Sequence, residues 1–243
     1  MKKLGTLLIA ATMLSGCANT GSVLEELEQV AGQIALGDGA ELRVGEISEG
    51  LKQALAIGSQ RVVQQLGQTD GFNADPVAHI PLPTALDRAR NVAAKVGLSD
   101  SFDSLEVQLN RAAEIAAPKA RSLFIGAIQQ MSLADARSIL SGPDDAATEY
   151  FRRTMGEQLA TEMTPIVDDS LGQVGAVRSF NKLLSRYRQI PLAPPVEADL
   201  TDHVVTLGMD GIFHYIAKEE QAIRTDPVRR TTELLRRVFG GGA

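Results

Sequence analysis

The stretch from Glu197 to Ile223 constrains the fold most. Its apolar residues Val204, Val205, Leu207, Met209, Ile212, Phe213, Tyr215 and Ile216 lie on nearly every face of a helix drawn through them. A helix that is apolar all round is stable only when buried on all sides. This segment, the longest candidate helix in the chain, therefore demands other helices packed around it. Gly208 and Gly211 within it are expected to let a neighbouring helix approach closely.

Other segments supply that packing. Leu51, Ala54, Leu55, Gly58, Val62 and Leu66 recur at spacings of three and four, with Lys52, Gln53, Gln60, Arg61 and Gln64 between them on the wet side. A helix from about Thr84 to Val96 stops at Gly97. Asp100 and Ser101 precede another that carries Leu105, Leu109, Ala112 and Ala116, and Pro118 opens or kinks the next. Ser132 and Asp135 have capping-box spacing, with Asp in place of Glu or Gln. Leu159, Met163, Ile166, Val177, Leu184 and Tyr187 continue the helical period, with a kink expected at Pro165. Asp226-Pro227 is expected to cap a last helix ending at Gly240. No strand-period segment of useful length occurs. The expected fold is all-α: a single multi-helix domain with a buried long helix near the C-terminus and no significant sheet.

Two connections stand out. Gly67 to Pro83 is long and contains Asp70-Gly71, Asp75-Pro76 and Ile80-Pro81-Leu82-Pro83, so it is expected to be an ordered crossover pinned by Phe72 and Ile80. Ile190 to Pro195 is a proline-rich joint.

The N-terminus reads as an address. Lys2 and Lys3 precede an apolar run, Leu4 to Met13, and then Leu14-Ser15-Gly16-Cys17. Basic start, short apolar core and small-residue cleavage site make a secretory signal, too short to span a bilayer, which takes about 20 apolar residues. The match to the bacterial lipobox makes Cys17, the single cysteine, the expected site of lipid attachment. The expected organisation is a signal peptide over residues 1–16, a lipidated tether over 17–22 and one helical domain over 23–243, its first helix at Val23 to Leu36. Resemblance to enterobacterial lipoproteins, with Ala18 where Asp would favour inner-membrane retention, implies the periplasmic face of the outer membrane.

Composition narrows the function. Loss of Lys2 and Lys3 with the signal takes the formal charge from −6 to −8, without the basic footprint of a nucleic-acid binder. With Cys17 acylated there is no thiol for a disulfide, a nucleophile or a metal.

Several motifs occur in order: Thr69-Asp70-Gly71-Phe72, Ile80-Pro81-Leu82-Pro83, Asn110-Arg111-Ala112-Ala113-Glu114, Asp144-Asp145-Ala146-Ala147-Thr148-Glu149-Tyr150, Ser185-Arg186-Tyr187, Ile216-Ala217-Lys218-Glu219-Glu220 and Asp226-Pro227-Val228-Arg229-Arg230-Thr231-Thr232. From about Val44 to Gly240 the chain resembles the bacterial family of domain of unknown function 4197. The resemblance implies a secreted or lipid-anchored protein of Gram-negative bacteria. It implies no activity and no functional residues.

The polar motifs stand on their own chemistry. Asn110 and Glu114 share a helix face and Arg111 reaches Glu114; Asp144 and Asp145 sit just after Pro143, where carboxylates meet free amides. One account is caps and inter-helix salt links. The other is a polar cleft of Asn110, Arg111, Glu114, Asp144, Asp145 and Glu149. Arg224, Arg229, Arg230, Arg236 and Arg237 form a candidate basic surface, either solvated helix faces or a contact for anionic lipid or phosphorylated glycan. His203 and His214 lie about 16 Å apart along a helix, too far to share a metal. No metal or cofactor is expected, and no serine-hydrolase elbow or phosphate loop occurs. The leading expectation is a helical interaction or ligand-binding domain with an envelope protein, lipid or glycan partner. The alternative is an enzyme acting on envelope glycan or lipid through carboxylates near Glu114 and Asp145.

Overall fold

A computed structural model describes residues 44–240. Cys17, the tether and the Val23 to Leu36 helix lie outside them. The described chain is all-helical, with no strand among the described residues: α1 (Val44–Leu66), α2 (Thr84–Ala93), α3 (Ser99–Ala116), α4 (Arg121–Gln129), α5 (Leu133–Leu140), α6 (Ala146–Gln173), α7 (Ala176–Tyr187), α8 (Leu200–Thr225) and α9 (Glu233–Gly240). The helical body is the unit Leu42–Ala243, which holds every core residue named below. No helix among the described residues is long and apolar enough to cross a membrane.

The long apolar segment, α8, runs through the core, although Asp202, Thr206, Asp210, Lys218, Gln221 and Thr225 leave one stripe of it exposed. It packs against α6, α1 and α3, and buries Val204, Val205, Met209, Ile212, Phe213 and Ile216. Its entry is capped by Asp199, whose side chain accepts from the Asp202 N–H at 2.9 Å. The Ser132–Asp135 capping box is present in both directions. Phe72 and Ile80, 1% and 0% exposed, pin the Gly67 to Pro83 crossover into the core.

Four details differ from the sequence reading. The longest helix is α6, with 28 residues against 26 for α8. Pro165, where a kink is expected, lies inside α6 and does not end the helix. The chain instead breaks at Gly175, whose φ of 77° is left-handed and costs a glycine little; this separates Val177, Leu184 and Tyr187 into α7. Asp226 caps only a 3-10 turn, Pro227–Arg229, and α9 is capped by Thr232, whose Oγ1 accepts from the Leu235 N–H at 3.2 Å. Finally, Gly208 has no atom within 4 Å of an added Cβ, while one on Gly211 would lie 3.0 Å from Ala78 Cβ and 3.4 Å from Phe72 Cε1. The close neighbour at Gly211 is thus the crossover, not another helix.

That contact yields a test. Gly211→Leu should lower stability by roughly 1–3 kcal/mol through overpacking, although leucine is the better helix former. An unchanged or higher urea midpoint would show that the crossover does not press on α8.

Candidate functional site

The candidate cleft residues fall into two groups. Among the described residues, no hydrogen bond or ion pair joins Asn110, Arg111 and Glu114 to Asp144, Asp145 or Glu149.

The first group is built on α3. Glu106, Asn110 and Glu114 are four residues apart, so they form one row up the helix, and this row faces the crossover. Glu114 Oε1 accepts the backbone N–H groups of Phe72 and Asn73 at 3.2 and 3.1 Å. Its Oε2 pairs with Arg111 Nη1 at 2.7 Å, and Arg111 Nη2 reaches Asp70 at 2.8 Å. Asn110 is fully buried and treats Ile80 as a neighbouring strand would. Its Oδ1 accepts the Ile80 N–H at 2.9 Å, and its Nδ2 donates to the Ile80 carbonyl at 2.8 Å. Glu106, which the sequence reading missed, lies 3.0 Å from His79 Nε2 and accepts from the Leu82 N–H at 3.4 Å. The four-residue spacing from Asn110 was the available signal.

From the other side, α8 holds the same crossover. Tyr215 donates to Asp75 Oδ2 at 2.6 Å, and His203 Nε2 lies 2.7 Å from the Pro81 carbonyl. Burial, together with that bond to the Asp75 carboxylate, pushes the Tyr215 hydroxyl up to about 12. Burial alone would raise Asp75, but the N–H of Ala78, the Tyr215 hydroxyl and the N–H of Val77 outweigh it and hold Asp75 below its usual value. Asp70 is likewise lowered, by hydrogen bonds from Asn73 and then Arg111.

The second group sits at the start of α6, where Asp144, Asp145 and Glu149 are exposed. Asp145 occupies the N-cap position without a side-chain cap bond, and Glu149 lies 3.5 Å from Arg152. The free amides of this helix end are satisfied by Glu220 of α8, another residue missed from sequence. Its two oxygens accept the Ala147 and Thr148 N–H groups at 3.0 Å each, and the Thr148 hydroxyl at 2.8 Å. The signal was positional: Ile212, Ile216 and Glu220 follow at steps of four along the buried face.

Arg224 closes that network. It pairs with Glu220 at 3.0 Å and donates to the Ile139 and Leu140 carbonyls at the end of α5, at 2.9 and 3.4 Å. The other residues of the candidate basic surface also hold protein acceptors. Arg230 donates to the Ile223 and Arg224 carbonyls at 3.0 and 2.7 Å. Arg229 pairs with Glu219, Arg236 donates to the Arg230 carbonyl, and Arg237 pairs with Glu46. Cations thus close the carbonyl ends of α5 and α8, as helix dipoles favour.

The interior is filled. Two apolar spaces between helices, one under Phe72 and Met209 and one beside Leu55 and Ile223, measure about 10 Å³ each, at or below what one water needs. Among the described residues, no group of three or more His, Cys, Asp or Glu side chains is placed to hold a metal ion. Asp210, one helical turn from His214, pairs with Arg152 at 2.7 Å.

Residues 41–240 match the model of the family described as protein of unknown function DUF4197, and the chain belongs to that family. No curated protein and no solved structure matches the chain.

Proposed function

We propose that this protein is an envelope lipoprotein, anchored through Cys17 on the periplasmic face of the outer membrane, whose helical body is an interaction module. One observation carries the choice of module over enzyme: the buried carboxylates, Glu114 and Glu220, are used up on backbone N–H groups and arginines that hold the fold. Envelope hydrolysis by paired carboxylates asks for an acid held above its usual value in an open cleft. Asp70, Asp75 and Asp135 are all moved the other way, by the hydrogen bonds they accept. A closely packed core whose buried carboxylates are committed to the fold suits a rigid body that presents surfaces.

The anchor is tested by feeding cells an alkyne fatty acid. Wild-type protein is expected to take up the label and Cys17→Ala to lose it; an unlabelled wild type, or a labelled variant, sinks the anchor. The second arm uses a deletion strain and its envelope permeability. Asp145→Asn with Glu149→Gln should restore wild-type behaviour, since neither carboxylate holds the fold. Failure of that variant to complement, at normal protein levels, returns the enzyme reading.

A further inference from the structure

Charge is spread unevenly along the chain. It has 30 Asp and Glu residues in 243, yet residues 170–196 contain none. The same stretch carries Arg178, Lys182, Arg186 and Arg188, and α7 sorts them by face. Ala176, Leu183 and Tyr187 are buried in the body. Arg178, Lys182 and Arg186 follow at steps of four up the outward face, with Arg188 just past the helix end, and all four cations are exposed. Among the described residues, none of the four forms an ion pair or a side-chain hydrogen bond. The C-terminal arginines differ sharply, since each of those is engaged.

Apolar surface lies beside these cations. Leu192, four residues beyond Arg188, is fully exposed, at 102%, and has a φ of 62°. It gains no packing in the monomer while holding a left-handed backbone that leucine avoids. Val177 is 42% exposed but lies half a helical revolution from Arg186, in an open groove of about 580 Å³ that Glu197 and Asp199 also line, so it belongs to a different face. On the other flank, a polar groove of about 250 Å³ is lined by Ser101, Ser104, Ser179, Lys182 and Arg186, with Asp100 its one carboxylate.

We propose that the outward face of α7, with Leu192 at its end, docks on the surface of an anionic lipid bilayer. The four cations meet headgroup phosphates, while Leu192 enters the apolar boundary beneath them. A row of unpaired cations ending at an exposed leucine is complementary to that layered surface. A single-stranded nucleic acid would instead call for exposed aromatic faces, and of the two aromatic residues of α7, Tyr187 is buried and Phe180 half-buried. The proposal deepens the envelope reading and rests on it for the presence of a bilayer; the docking face itself stands on α7.

The test uses a chain starting at Ala18, which lacks any acyl chain and retains the whole unit Leu42–Ala243. It is sedimented with vesicles of phosphatidylglycerol and phosphatidylcholine, or of phosphatidylcholine alone, at low ionic strength. Binding is expected to the first and not the second, and is expected to fall with added salt. Each neutralised cation should lower the partition constant roughly fivefold, so Lys182→Gln with Arg186→Gln should lower it about 25-fold. Leu192→Asn, which suits a left-handed backbone, should reduce binding severalfold with an unchanged circular dichroism spectrum. Equal partition of the double variant, or equal binding to neutral vesicles, overturns the proposal. So does a chain that ignores vesicles but is retained on heparin, which would make the face a site for another polyanion. Fatty-acid labelling reads Cys17 separately, so a failed anchor and a failed α7 contact give different results.

Discussion

Glu220→Ala is expected to lower the stability of the folded chain by about 3–5 kcal/mol, the range for removing one partner of a buried ion pair. The Glu220 and Arg224 side chains are 4% and 10% exposed. Without the carboxylate, Arg224 keeps only the two α5 carbonyls, and its charge stays under the protein surface without a counterion. The Ala147 and Thr148 N–H groups at the start of α6 lose their acceptor at the same time. An unsatisfied buried polar group costs about 1–3 kcal/mol by itself. The adjacent residue is the control. Glu219 is on the outside of the same helix turn and pairs with Arg61 at 3.2 Å and Arg229 at 3.4 Å; such partly exposed pairs contribute about 0–1 kcal/mol, so Glu219→Ala should be mild. Replacing both Glu220 and Arg224 by leucine should cost less than removing Glu220 alone, because no charge is stranded. Urea midpoints of the three variants decide it. A Glu220→Ala midpoint as high as that of Glu219→Ala would mean the network does not hold α5, α6 and α8 together.

The same network shows where sequence reasoning stops. The core position of α8 was legible from its wide apolar surface, of which Asp202, Thr206 and Asp210 leave one stripe to solvent. The Ser132–Asp135 cap was legible because each side chain accepts from the other residue's backbone N–H, which fixes the spacing at three residues. Glu114 and Asn110 were legible as sharing a face, but not what they bind, because their partners are backbone groups of Phe72, Asn73 and Ile80, and a backbone amide carries no residue-specific signal. Glu220 was hidden for the same reason. The break at Gly175 was hidden because a left-handed glycine reads like Gly172, three residues earlier, which stays helical. Gly211 announced a close approach, since glycine in a helix interior costs about 1 kcal/mol without an offset. It did not say whether a helix or the crossover made that approach. On the surface, a count of arginines pointed to the C-terminus. Pairing is a property of the fold, and it leaves a row of unpaired cations on α7.

The crossover from Gly67 to Pro83 should come loose when Asn110 is truncated. Asn110→Ala is expected to lower stability by about 2–5 kcal/mol, because two buried backbone groups of Ile80 lose their partners together. Ile80 cannot turn to water, since it is fully buried and flanked by Pro81 and by core contacts. Asn110→Leu fills the volume but offers no donor or acceptor, so it should be nearly as damaging. A purely steric role would make leucine the tolerated substitution, and the comparison separates the two physical causes. Asn110→Asp in its neutral form keeps an acceptor for the Ile80 N–H and one O–H donor for the Ile80 carbonyl, but loses the second amide donor, which Asn110 spends on the Glu106 carbonyl, so it should fall between wild type and alanine. Amide exchange adds a local readout. In Asn110→Ala, residues 72 to 82 should exchange faster than the rest of the body, because Glu106 and Glu114 hold the two flanks of the crossover and Asn110 holds its middle. If protection instead falls evenly over α1, α6 and α8, the amide serves the core as a whole and the crossover has no separate stability to lose.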